Sequence, residues 1–390
     1  MPAVLPFCLA IAAGWAMATA AWAVCPKPSV PAFNASSYYA PAAGLSGAAL
    51  KSALHDIIDA HVVQTYSCVW DVLKEADQDP ANPNNVIDVY SRRSIPKSDQ
   101  DAGGNTPNAW NREHVWANSH GFPSSGYHAY TDAHHLYAAD KSINADRGND
   151  DFAYGGVPNP ECPACLEDIN LETWEAPNVV KGDIARAMFY MATRYAGSGD
   201  GGTPDLELVD RLTNTGEPYF GDLCDLVAWH LADPVSTAEQ QRNDVIYSWQ
   251  GNRNPFADHP EYVVSIWGAS CGIPPPTAQS ISFAAPANAP VGSVVNLTAS
   301  ASSGLPVSYT SLTTGVCSVS GNTVNLLAAG SCSLTAEQSG NATYAPATPV
   351  TQTFQVTVAT TEDAGDVPLP AWALLLLAAG LFGAMRRKQA

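Results

Sequence analysis

Apolar residues recur with helical spacing in some parts of this chain and alternate with polar ones in others. After Ser46, Leu50, Leu54, Ile57 and Ile58 return every three or four positions, which predicts a helix with one buried face and Ser46 as its cap. DQDPANPNN breaks that pattern, and VIDVYS, from Val86 to Ser91, then alternates as a strand. Ile184, Met188, Met191 and Tyr195 line one face of a helix predicted over 178–195, and AGSGDGGTPD after it reads as a loop. Thr237 and Gln240 make a capping box for a further helix that Gly251 stops. Helices dominate this region, with a few short strands, so the expected class is α+β.

Past Cys271, GIPPPT begins at Gly272 and marks a Pro-rich linker over 273–278, and the character of the chain changes. From there to Thr360 the only charged residue is Glu337. SVSGNTVNL and TFQVTV alternate with period two between turn residues, which predicts a small β-sandwich over 279–360. Cys317 and Cys332 flank one predicted hairpin and would pair. The segment resembles the Ig-like modules attached to many bacterial surface proteins.

The two ends carry apolar segments. Residues 1–23 are apolar and finish in Ala21-Trp22-Ala23, a small-x-small cleavage pattern expected of a secretory signal. Val367 to Met385 is uncharged and just long enough to cross a bilayer as a helix, and Arg386, Arg387 and Lys388 would remain on the cytoplasmic side. The order of a short Pro-containing motif, an apolar helix and a basic tail over 361–390 resembles the sorting signals processed by exosortase-type systems of Gram-negative bacteria. A plain membrane anchor is the alternative. Either way the folded part, 24–272 and the module after it, is expected outside the inner membrane, at the cell surface or released.

Composition narrows the function. Acids outnumber bases 37 to 18 in 390 residues, and a net charge of -19 argues against broad adhesion to nucleic acid or anionic membrane. The imbalance is local, however. Arg92 to Arg147 holds six bases and six acids, whereas Gly148 to Gly272 holds six bases and twenty acids. Of nine cysteines, Cys8 leaves with the signal, and the remaining even number in an exported chain favours disulfides. Cys162-Pro-Ala-Cys165 is accordingly read as a structural bridge rather than a zinc or redox pair.

Five of the nine histidines fall between His114 and His135, four of them within NREHVWANSH and TDAHHLYAADKSINADRGNDDF and His128 between those blocks. Phosphodiester cleavage needs an activated water, a cation to neutralise charge on phosphate, and help for the departing oxygen. His114 can act as the base, and Glu113 and Asn144 offer the hard oxygens that magnesium or calcium prefers. Arg147 can hold a phosphate, or it can merely pair with the carboxyl end of its helix or with Asp146. A strand through His135-Leu136-Tyr137 and a helix from Ala138 to Arg147, ended by Gly148, would set Asn144 and Arg147 on one helical face. Glu113 and His114, adjacent on a strand, would point to opposite sides unless the strand bends or ends there. His134 and His135 cannot both face inward, and His120 and His128 are expected in solvated loops. Arg186 is expected to snorkel or to pair with Asp183.

Together with GDIARAMFYMATRY and WQGNRNPFADHPEYV, those two blocks resemble the bacterial endonuclease I family, in order and with matching spacing from about Leu45 to Trp267. The resemblance implies an exported nuclease with a ββα-metal (His-Me finger) core, a general base at His114 and magnesium ligands at Glu113 and Asn144. Alanine stands at Ala117 and Ala138 where the family commonly has proline. Asn118 and Tyr137 stand near the active loop where it often carries bases, which implies weaker substrate binding or steeper salt sensitivity.

The favoured expectation is a monomeric, sequence-nonspecific endonuclease using one magnesium or calcium ion on DNA, with RNA as a second candidate. A membrane, through the C-terminal helix, and a sorting protease are its other expected partners. One rival is a zinc hydrolase built on His114, Asp132, His134 and His135. The other is a surface adhesion protein whose nuclease-like part is inactive.

Overall fold

The computed structural model describes residues 25–101, 103, 108–197, 199–341 and 343–358. It divides into two compact units meeting between Pro275 and Pro276, inside the predicted linker. The expected signal and the C-terminal helix lie outside the described residues. Among those described, no helix is long and apolar enough to cross a membrane.

The first unit is mixed α and β. Helix α1, Gly47–Ile58, buries Leu50, Leu54 and Ile58, the stripe that its spacing announced. Helix α2, Val69–Ala76, turns Val69, Val72 and Leu73 inward. Strand β1, Asn82–Ile87, pairs with β2, Ser94–Pro96, but the strand expected over 86–91 stops at Ile87. Asp88 ends it by accepting the backbone N–H groups of Tyr90 and Ser91, which turns the chain.

Strand β3, Trp110–His114, pairs antiparallel with β4, Leu136–Asp140, placing Glu113 opposite Tyr137 and His114 opposite Leu136. Helix α3, Lys141–Arg147, follows at once, capped by the Asp140 side chain, which accepts from the Ser142 N–H. The helix therefore starts at Lys141, not Ala138. Ala138 continues the buried strand, and the Asp140 carboxylate sets the boundary. Gly148 closes α3 with φ 58°, a positive value that favours glycine.

Helix α4, Lys181–Arg194, is buried on nearly every side and forms the centre of the unit. Arg186 is completely buried there, paired with Glu239 at 2.5 Å as well as with Asp183 at 3.1 Å, so it does not snorkel. Helix α5 is Leu223–Ala232 and packs against α4. Helix α6, Thr237–Gln250, ends at Gly251 with φ 81°. Its cap is Ser236, one residue earlier than expected, accepting from the Glu239 N–H, while the Glu239 carboxylate is committed to Arg186. Helix α7, Glu261–Trp267, completes the unit.

Disulfides link Cys25 to Cys68, Cys162 to Cys165 and Cys224 to Cys271, so the CPAC pair is bridged as expected.

The second unit is all β. A hairpin of Cys317–Ser320 and Thr323–Leu326 turns at Gly321 and Asn322, and Val350–Thr357 lies antiparallel to Gly330–Glu337. Phe283, Val324, Leu326, Leu334, Phe354 and Val356 pack around the expected Cys317–Cys332 bridge.

Candidate active site

The packing of α3 on the paired strands β3 and β4 sets Arg147 against Glu113 and Asn144 against Asn111. On β3, Asn111 and Glu113 share one face, and Arg112 and His114 share the other. Helix α3 lies over the first face. The Asn144 Nδ2 donates to Asn111 Oδ1 at 2.7 Å, which turns the carboxamide oxygen of Asn144 away from that bond. Arg147 Nη1 stands 3.4 Å from Glu113 Oε1, and the Tyr90 hydroxyl donates to the same oxygen at 2.6 Å. Burial pushes the Glu113 carboxyl up from its ordinary value, while Arg147 and Tyr90 pull it back.

His114 is the last residue of β3, so its ring leaves on the other face just where the strand stops. Its Nε2 contacts the carbonyl oxygen of Tyr130 at 2.9 Å. A carbonyl only accepts, so Nε2 carries the hydrogen and Nδ1 keeps its lone pair. Tyr66 stacks on the ring at 5.9 Å, with Tyr130 edge-on at 4.6 Å and His135 at 5.4 Å. Burial, with His135, Arg112 and Arg147 nearby, holds the imidazole well below its ordinary pKa, so it is neutral at pH 7.

Of the two roles open to Arg147, a phosphate contact or a pairing within the protein, its contacts favour the second, with partners other than Asp146. Its side chain is 1% exposed, Nη1 donates to the His114 carbonyl at 3.1 Å and Nη2 to the Val115 carbonyl at 2.7 Å. Nη1 and Nη2 are spent on two carbonyls and a carboxylate, and Nε, though without a partner, is buried, so the guanidinium presents no exposed edge to a phosphate. It is a clamp tying α3 to the end of β3.

The other histidines between His120 and His135 are bonded within the fold. Asp132 accepts from Tyr190 at 2.8 Å, Tyr195 at 2.9 Å and Gln250 at 3.0 Å. His134 Nε2 donates to the Asn252 carbonyl and His135 Nε2 to the Ala129 carbonyl. These groups face separate partners, so the zinc constellation of His114, Asp132, His134 and His135 does not form. Among the described residues no group of three or more His, Cys, Asp or Glu is arranged to hold a metal ion. His120 is buried, not solvated, with Nδ1 on the Tyr219 carbonyl, while His128 is half-buried beside Asp200.

Sequence reasoning missed Tyr66, Tyr90, Asn111, Arg112 and Tyr130. Period two along β3 pointed to Asn111 beside Glu113 and to Arg112 beside His114. Nothing local pointed to Tyr66 or Tyr90, which tertiary packing supplies.

The endonuclease I family model matches residues 46–261, which span β1 to β4 and α1 to α6. An extracellular ribonuclease of Bacillus amyloliquefaciens is 50% identical over 238 residues, 61% of this chain and 80% of its own. An extracellular ribonuclease of Bacillus subtilis (strain 168) is 47% identical over 241 residues, 62% of this chain and 81% of its own. An extracellular deoxyribonuclease of Aeromonas hydrophila is 28% identical over 130 residues, 33% of this chain and 49% of its own. With the matched region enclosing the whole hairpin–helix site, the chain belongs to the endonuclease I family.

Proposed function

We propose that the protein is an exported, metal-dependent endonuclease that hydrolyses phosphodiester bonds of RNA and DNA with little sequence preference. One observation carries the reading. A β hairpin runs directly into a helix, with Glu113 and His114 at the strand end and Asn144 on the helix, and the neutral His114 keeps Nδ1 unprotonated.

In the reaction a water oxygen attacks phosphorus, the proton it sheds passes to His114 Nδ1, and the bond from phosphorus to the leaving nucleotide oxygen breaks. The Tyr130 carbonyl holds the ring in place and steadies the imidazolium that forms.

Glu113 and Asn144 fit one hard divalent cation, magnesium or calcium. The Tyr90 and Arg147 contacts both address Glu113 Oε1, and Asn111 takes the Asn144 amide nitrogen. Glu113 Oε2 and Asn144 Oδ1 are the oxygens we assign to the ion. When bound, it would neutralise charge on the phosphate and polarise the bond to be broken. Arg147 is a positioning residue in this scheme.

The names of the relatives include ribonuclease and deoxyribonuclease. General-base attack by water does not need the ribose 2′-hydroxyl, so both nucleic acids are proposed substrates, contacted through the backbone. The relatives named extracellular support export. The all-β unit, read as an Ig-like spacer, and residues 361–390, read as a sorting signal or anchor, would keep the enzyme outside the inner membrane.

The test is digestion of plasmid DNA and of RNA by purified wild type and His114→Ala, with magnesium and with chelator. Wild type with magnesium should cleave, and chelator or the substitution should stop cleavage. Equal activity in H114A contradicts the mechanism, and no cleavage of either nucleic acid by wild type favours the inactive binding protein.

A further inference from the structure

The nuclease reading leaves a gap, because with Arg147 committed to the protein it supplies no side-chain cation for the substrate backbone beyond the metal ion. The buried arginines Arg147, Arg186, Arg194 and Arg253 and the partly buried Arg242 each face a carboxylate, whereas Arg112, also partly buried, has no ion pair among the described residues. Asp101, whose field reaches Arg112, is paired with Lys141 at 3.1 Å. In a chain with a net charge of -19, a half-buried guanidinium left without a carboxylate is suited to an anion brought from outside.

Its surroundings fix where that anion lies. The Arg112 Cζ stands 3.3 Å from the centroid of Tyr66 and 4.1 Å from that of Trp70. Nη1 donates to the Tyr66 carbonyl, and Nε is buried without a hydrogen-bond partner. Arg112 and His114 are two apart on β3 and share a face, and Tyr66, in contact with the guanidinium, also stacks on the His114 ring. The two aromatic rings immobilise the guanidinium plane, so little rotamer freedom remains to be lost when it meets a phosphate.

We propose that Arg112 binds the substrate's phosphate backbone beside His114, with Tyr66 and Trp70 holding the guanidinium in place. The ligand class is a phosphodiester, and the inference rests on the nuclease reading.

The experiment compares wild type, Arg112→Met and Arg112→Gln. Methionine keeps a long apolar stem against Tyr66 and Trp70, and glutamine is the independent second variant. Circular dichroism and thermal melting check folding. Binding of a fluorescein-labelled single-stranded oligonucleotide is followed by anisotropy in EDTA across a salt series, and cleavage is followed in magnesium. Removing a charge-assisted contact should weaken low-salt binding about tenfold to hundredfold. The slope of log Kd against log salt should shrink by roughly one. A merely structural arginine would lower the melting temperature and leave that slope unchanged.

A folded R112M with the wild-type slope overturns the inference, as does unfolding of both variants, which would make the guanidinium a structural prop. If wild type cleaves while R112M keeps its slope, this inference alone fails. If wild type neither binds nor cleaves, the nuclease reading fails and this inference with it.

Discussion

Nε2 of His114 donates to the carbonyl oxygen of Tyr130 at 2.9 Å, and that bond selects which nitrogen of the ring is left to take a proton. The ring is neutral because it is buried, and it is oriented because a backbone acceptor 16 residues away holds one edge. Nitrogen-15 NMR of the imidazole at pH 7 should show a protonated Nε2 and an unprotonated Nδ1. A doubly protonated ring, or the opposite tautomer, would contradict the assignment of Nδ1 as base.

Arg147 gives a prediction about stability. Replacing it with Met strands the buried Glu113 carboxylate and frees the carbonyls of His114 and Val115 from their donors. Breaking a buried pair of this kind costs roughly 3–5 kcal/mol. Urea unfolding of Arg147→Met should show a loss of that order. Unchanged stability with lost activity would instead return Arg147 to a direct phosphate contact.

Asn111 gives a prediction about metal demand. It touches no proposed reacting atom, yet it fixes the Asn144 amide at 2.7 Å. Removal of such a supporting partner typically weakens metal affinity about 10–100-fold. Asn111→Ala should therefore need more magnesium for half-maximal cleavage, with near-wild-type turnover at saturating metal. Asn144→Ala should show the larger shift, and equal metal demand in all three proteins would contradict the role.

These relationships show what the chain discloses unaided. That Asn144 and Arg147 share one face of α3 was legible because period 3.6 on a helix is local geometry, whereas the contact of Asn144 with Asn111 on β3 was not. The start of α3 was misplaced by three residues because Leu136 to Ala139 is apolar and suits strand or helix alike, and the Asp140 cap decided it. The strand beyond Ile87 was misread because Asp88 spends its carboxylate on a turn that alternation does not reveal. The partners of Arg147 and Asp132 were not legible for a shared reason. They come from distant segments, Asp132 meeting Tyr190 across 58 positions, and no spacing rule reaches that far. Tyr66 likewise reaches Arg112 from 46 positions away.

Acid sensitivity follows from the two buried histidines behind the site. Burial lowers His134 and His135 from 6.5 to about 4. Below pH 6.5 the unfolded chain takes up protons that the folded chain refuses until about pH 4, so stability is lost as pH falls through that window. The loss should be on the order of 3 kcal/mol per ring. Urea unfolding at steps from pH 7.5 to 4 should decline steadily below 6.5, and His134→Gln should flatten the decline. A level profile between pH 6.5 and 4 would contradict the burial of neutral rings.

The account depends most on a single cation beside the end of β3, and anomalous diffraction from crystals soaked in manganese looks at it directly. One peak is predicted, with Glu113 Oε2 and Asn144 Oδ1 at inner-sphere distances of about 2.0–2.3 Å. A peak elsewhere, with neither oxygen in contact, would contradict it.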